Sequence, residues 1–151
     1  MKINFDTCSS IENCTENRTK KIDIIQDKKA KSKVCFSIKN DFSKQYNLIP
    51  FDDCVFQRIN NITEKCDFGL AIENKLYYIE LKGNDNNKAL KQILKTYELT
   101  KQCFKNYKYF ARVVTSKKEK PENLDKITYR QIIKFTENNL KITQNIHTEI
   151  I

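Results

Sequence analysis

Asp67, Glu80 and Lys82 are two carboxylates and an ammonium at a spacing that suits metal-assisted hydrolysis. They fall in residues 66–83, Cys-Asp-Phe-Gly-Leu-Ala-Ile-Glu-Asn-Lys-Leu-Tyr-Tyr-Ile-Glu-Leu-Lys-Gly, the longest apolar, β-rich block of the chain. Its halves meet at the polar Glu73-Asn74-Lys75, short enough for a hairpin turn, so two antiparallel strands are expected. Side chains alternate along a strand, which puts Glu80 and Lys82 on one face and Tyr77, Ile79 and Leu81 on the other. Asp67 lies on the neighbouring strand. Two carboxylates facing one point can hold a hard divalent cation, and a lysine beside it can orient or activate an attacking water.

Further elements must hold that hairpin. The helix expected over residues 86–104 has an apolar stripe of Leu90, Ile93, Leu94, Tyr97 and Phe104, with Asp85 as its N-cap. Lys88, Gln92 and Lys95 fall at i, i+4 and i+7 on its other face. The helix starts three residues after Lys82, which brings Lys88 and Gln92 towards the end of the acidic strand. Residues 107–115 read as a strand joined by this helical crossover, and such a connection argues for a parallel neighbour and an α/β protein. Residues 33–38 and 53–59 read as strands, separated by a loop ending near Pro50. Asp52 and Asp53 stand at the entrance of the second, and Asp52 is an additional candidate acid. Thr128 and Gln131 form a capping box, with Ile127 and Ile132 as a hydrophobic staple, for a helix to about Asn138. Residues 140–143 and 146–151 look like a late strand and a closing segment. Residues 1–33 are polar, with a weak helical rhythm through Ile11, Cys14, Ile22, Ile24 and Ile25, and suit a partly helical segment or an arm. Residues 34–151 are expected to form one α/β domain.

A chain of 151 residues can bury roughly 68–70% of its unfolded surface in a single core. The net charge of +9 predicts attraction to polyanions, with nucleic acid the first candidate. Residues 84–120 carry ten basic and three acidic residues, so the positive surface belongs to the helix and strand that follow Glu80-Leu81-Lys82. No stretch of 18 apolar residues and no signal-peptide run occurs, so no membrane is expected, and the location expected is cytoplasmic. Six cysteines with no Cys-x2-Cys pair, and one histidine, His147, argue against structural zinc and against histidine-based nucleophilic catalysis. In a reducing cytoplasm the cysteines are expected to act as small hydrophobes, with Cys35, Cys54, Cys66 and Cys103 in apolar patterns.

Asp67 and, thirteen positions on, the Glu80-Leu81-Lys82 triplet together resemble the signature of the PD-(D/E)xK nuclease superfamily. Short [D/E]xK patterns also occur at Asp27-Lys28-Lys29 and Glu73-Asn74-Lys75, but only the triplet at 80–82 lies inside an apolar strand. Its continuation, Gly83-Asn84-Asp85 and then Lys88, Ala89 and Gln92, is similar to small bacterial members, in which an acid on one strand, Glu-Leu-Lys-Gly on the next and a glutamine-bearing helix recur together. Cys66 stands where the motif's nominal proline would be, and no early-helix glutamate is identified. The resemblance implies a restriction-endonuclease-like mixed sheet flanked by helices and a magnesium- or manganese-dependent nuclease. Asp67, Glu80 and the Leu81 carbonyl would ligate the metal, Lys82 would position the water, Gln92 would contact the site, and Lys88 and Lys95 would bind phosphates. A homodimer would suit duplex cutting. The rival is a module of the same fold that clamps nucleic acid or a partner protein without cutting.

Overall fold

The computed structural model describes residues 6–26, 34–57, 59 and 61–151. A six-stranded mixed sheet forms its centre. In the order β1-β4-β5-β6-β7-β8 it is built from β1 (Glu16–Arg18), β4 (Tyr46–Pro50), β5 (Phe68–Ile72), β6 (Lys75–Lys82), β7 (Lys108–Thr115) and β8 (Leu140–Gln144). The first four strands pair antiparallel, and β6, β7 and β8 run parallel. Helices α1 (Thr7–Cys14), α2 (Asn86–Thr100) and α3 (Lys126–Thr136) cover one face. A smaller sheet covers the other, with β3 (Cys35–Lys39) between β2 (Ile22–Gln26) and β9 (Ile146–Ile150). The α/β class with a mixed sheet flanked by helices is therefore present, together with a second sheet that was not expected.

β6 is the axis of the packing because both of its faces are buried. Leu76 and Tyr78 enter the core under the helices, while Tyr77, Ile79 and Leu81 enter the core between the sheets. Such a strand needs β-branched and aromatic side chains on both sides, which its sequence supplies. α2 closes the helical side through Ala89, Leu90 and Ile93, all fully buried, each large side chain contributing roughly 1.5–3 kcal/mol. Its N-cap is Asp85, whose carboxylate accepts from Lys88 N at 3.0 Å. The crossover returns to β7 parallel to β6, with Lys82 opposite Thr115.

Several local expectations are corrected. Residues 46–50, read as loop, form β4, since Leu48 and Ile49 supply one apolar side chain to each core. Phe51–Val55, which takes in the first residues of the strand expected over 53–59, is a π-helical turn closed by Phe56 N donating to Phe51 O at 2.9 Å. Gly69 makes room for it, because a Cβ there would lie 2.6 Å from Phe51 Cε2. α3 starts earlier than the capping box predicts. Asp125 is its N-cap, accepting from Ile127 N at 3.1 Å, Thr128 donates its hydroxyl to the same carboxylate, and Ile127 is 70% exposed and staples nothing. In the polar N-terminal segment, residues 6–26 supply α1, β1 and β2 and are built into both sheets. Residues 1–5 and 27–33, including the Asp27-Lys28-Lys29 copy, lie outside the described residues. The copy at 73–75 makes the hairpin turn, with Glu73 at φ 55°.

Four of the six cysteines are paired, which corrects the reading of all as free small hydrophobes. Cys8 bonds Cys103 and Cys14 bonds Cys54, so both ends of α1 are fastened, one beyond the end of α2 and the other to the π-helical turn. Cys35 and Cys66 are free and buried and do behave as core residues. Spacing could not reveal the pairs, since their partners lie 95 and 40 residues apart.

Candidate metal and active site

Strand register brings the acids together. Phe68 pairs with Ile79 across the hairpin, so Asp67, one step before β5, comes opposite Glu80. Asp67 Oδ2 accepts from Leu81 N at 2.8 Å, and its carbonyl accepts from Phe51 N at 3.0 Å. The π-helical turn thus holds the backbone of Asp67 while β6 holds its carboxylate. Because N–H and C=O of one strand residue point to the same side, the Leu81 carbonyl faces the Asp67 edge as well.

Glu80 is 1% exposed, and its Oε2 is buried without a hydrogen-bond partner. Burial first, then the charge of Asp67 and a hydrogen bond with it, push the Glu80 carboxyl well above the ordinary carboxylate range. Lys82 opposes the rise and Asp52 adds to it, which puts both within electrostatic reach. Two carboxyl groups so placed disfavour each other's ionised form when no cation separates them.

Gln92, on α2, is drawn inward rather than solvated. Its Nε2 donates to Lys65 O at 3.2 Å, and its Oε1 is a second buried acceptor without a partner. The next turn of α2 holds the adjoining loop, since Thr96 Oγ1 accepts from Cys66 N at 2.7 Å. Cys66 itself is fully buried, and burial and the nearby Glu80 push its thiol far up, which disfavours the thiolate. Asp52 lies in the π-helical turn and pairs with Lys65 Nζ at 3.6 Å. Lys65, whose side chain is only 17% exposed, also donates to Phe56 O at 3.1 Å.

Lys65 was missed by the sequence reading. Its position two residues before Asp67 was the available signal. Lys82 is half-buried beside the acids, and Lys88 and Lys95 are exposed on α2. Among the described residues no group of three or more His, Cys, Asp and Glu side chains is positioned to hold a metal ion. The available donors are all oxygens: the two carboxylates, the Leu81 carbonyl and the Gln92 amide oxygen. Such a set fits magnesium or manganese, with water in the remaining positions, better than zinc. The unpartnered Glu80 Oε2 and Gln92 Oε1 are buried acceptors that a hydrated cation would satisfy.

Comparison with protein-family models, with curated proteins and with solved structures finds no relative. No helix of the described residues is long and apolar enough to cross a membrane.

Proposed function

We propose that this protein is a magnesium- or manganese-dependent nuclease of the restriction-endonuclease-like type, hydrolysing phosphodiester bonds of nucleic acid. One observation carries the reading. Glu80 is buried against a second carboxyl group with an oxygen left unpartnered and its carboxyl pushed above the ordinary range, an arrangement that costs stability unless a cation completes it. The resemblance of Asp67, Glu80-Leu81-Lys82 and Gln92 to the PD-(D/E)xK pattern supplies the reaction class.

Asp67, Glu80 and the Leu81 carbonyl would hold the cation. When bound, it would supply charge neutralisation at the phosphate and a more acidic water. The chain's own residues do the rest. The Leu81 N–H fixes one Asp67 oxygen and leaves the other to point at Glu80. Lys82 brings an ammonium to the pair, where it can orient a water or stabilise charge on the phosphate. Gln92 offers a further buried, unpartnered acceptor from α2 that a water could occupy. Asp52, tied to Lys65, tunes the field at Glu80 without being a ligand in this arrangement.

The disulfides bear on where the oxidised protein works. Cys54 is exposed, and a disulfide there persists in an oxidising compartment rather than the reducing cytoplasm expected from the sequence.

The test is cleavage of single- and double-stranded DNA and RNA with magnesium or manganese. Wild type should cut at least one form, and Asp67→Ala, Glu80→Ala and Lys82→Ala should each lower the rate at least 100-fold with nucleic-acid binding retained, a typical scale for loss of a transition-state contact. Wild type inert on every form overturns the enzyme and leaves the non-cutting clamp.

A further inference from the structure

β6 and β7 run parallel and leave the sheet at the same edge, where Lys82 is the register partner of Thr115. The chain after β7 is fastened there. Ser116 N donates to Gly83 O at 2.6 Å, and the Ser116 hydroxyl donates to the same oxygen. Asn86, 1% exposed in the first turn of α2, holds the residues that follow. Its Nδ2 donates to Lys117 O at 2.9 Å and to Thr115 Oγ1 at 3.2 Å, and its Oδ1 accepts from Glu119 N at 3.2 Å.

The loop so pinned reads Ser-Lys-Lys-Glu-Lys. Lys117, Lys118 and Lys120 are exposed, and among the described residues none of them is in an ion pair, whereas Lys20, Lys39, Lys44 and Lys65 each are. Three ammonium groups within four residues repel one another, and Glu119 offsets only one. A buried asparagine holding the backbone at Lys117 and Glu119 fixes where these lysines leave the chain, so a polyanion meets clustered charge on a held loop and less backbone entropy is lost on binding.

We infer that the 116–120 loop is a phosphate-contacting site that carries the nucleic-acid backbone across the edge of the sheet into the Asp67–Glu80 site. This rests on the nuclease reading and adds the path of the substrate. Lys88 lies at the same end of α2. Lys95, seven residues further on, is displaced from Lys88 by about 10 Å along the helix, so it is not part of the loop's own contact.

The experiment is anisotropy titration of a labelled oligonucleotide against the full protein over a range of salt, with metal chelated so that nothing is cut. Replacing Lys117, Lys118 and Lys120 together by Gln should flatten the slope of log affinity against log salt by roughly 2 to 2.7, from about 0.7–0.9 per lost phosphate contact. The inference is overturned if the triple variant keeps the wild-type slope. If wild type cuts but the triple variant keeps its slope, the loop assignment alone falls. If the triple variant loses slope but wild type cuts nothing, the loop stands and the nuclease reading falls.

Discussion

Glu80 and Glu149 are both buried, one on each side of the central sheet, and they meet opposite electrostatic fates. Glu149, on β9, faces Arg112 of β7, whose Nε donates to it at 2.6 Å, and His147 Nε2 stands 3.5 Å from its other oxygen. Burial alone would raise its carboxyl, but His147 and Arg112 outweigh burial and hold it below the ordinary range. Arg112 is itself cradled, donating to Ala111 O and Asn139 O and lying over the rings of Tyr77 and Phe110. Around Glu80 the nearest ionisable partner is another acid, and the carboxyl is pushed up. A buried carboxylate with an arginine and a histidine against it joins two layers of a fold. One without them marks a place prepared for something positive that the chain does not itself supply.

The largest effect that would break this contrast is on the satisfied side. Arg112→Ala leaves Glu149 buried and unpaired and should cost about 3–5 kcal/mol, seen as a fall in melting temperature of roughly 10 °C or more. The lowered carboxyl of Glu149 contributes stability above its unfolded pKa and loses it as pH falls through its folded one. Wild type should therefore lose stability on acidification below about pH 4, and Glu149→Gln should lessen that loss. A mild Arg112→Ala phenotype would mean that the sheets are joined by apolar contact alone.

The middle effect tests the unsatisfied side. Magnesium at 100 times its dissociation constant should stabilise wild type by about 2.7 kcal/mol, and Glu80→Gln should abolish the shift. Equal shifts in the two proteins would place the ion elsewhere. The smallest effect is that of Glu80→Gln without metal. Because the folded carboxyl titrates above the unfolded one, wild type loses stability as pH rises from the unfolded value towards the folded one. The amide should therefore be the more stable form at pH 8 by something on the order of 1 kcal/mol, with the advantage gone at pH 4. Calorimetry at the two pH values measures it, and a pH-independent difference would contradict the raised carboxyl.

Much of the site was legible because it sits on periodic elements. Alternation in residues 75–82 and the 3.6-residue stripe of 86–100 are strong local patterns, and the hairpin, the helix, its Asp85 cap and the parallel return of β7 follow from them. The π-helical turn was not legible. Phe51, Val55 and Phe56 have the composition of a strand, and only the ring of Phe51 lying over Gly69 turns them into a helical bulge. Lys65 and the inward amide of Gln92 depend on that same non-local geometry. The second sheet escaped because β9 completes it alongside β3, more than a hundred residues earlier.

The two disulfides also alter what the chain is as a polymer. Cys8–Cys103 spans 95 residues, and Cys14–Cys54 is nested inside it. A single backbone cut anywhere between residues 8 and 103 therefore leaves one covalent molecule, and a cut between 14 and 54 leaves the pieces doubly tied. A protease reaching the hairpin turn at Glu73-Asn74 would separate Asp67 from Glu80 in sequence without releasing either half. On a denaturing gel such a nicked chain migrates as one species until reductant is added and then as two.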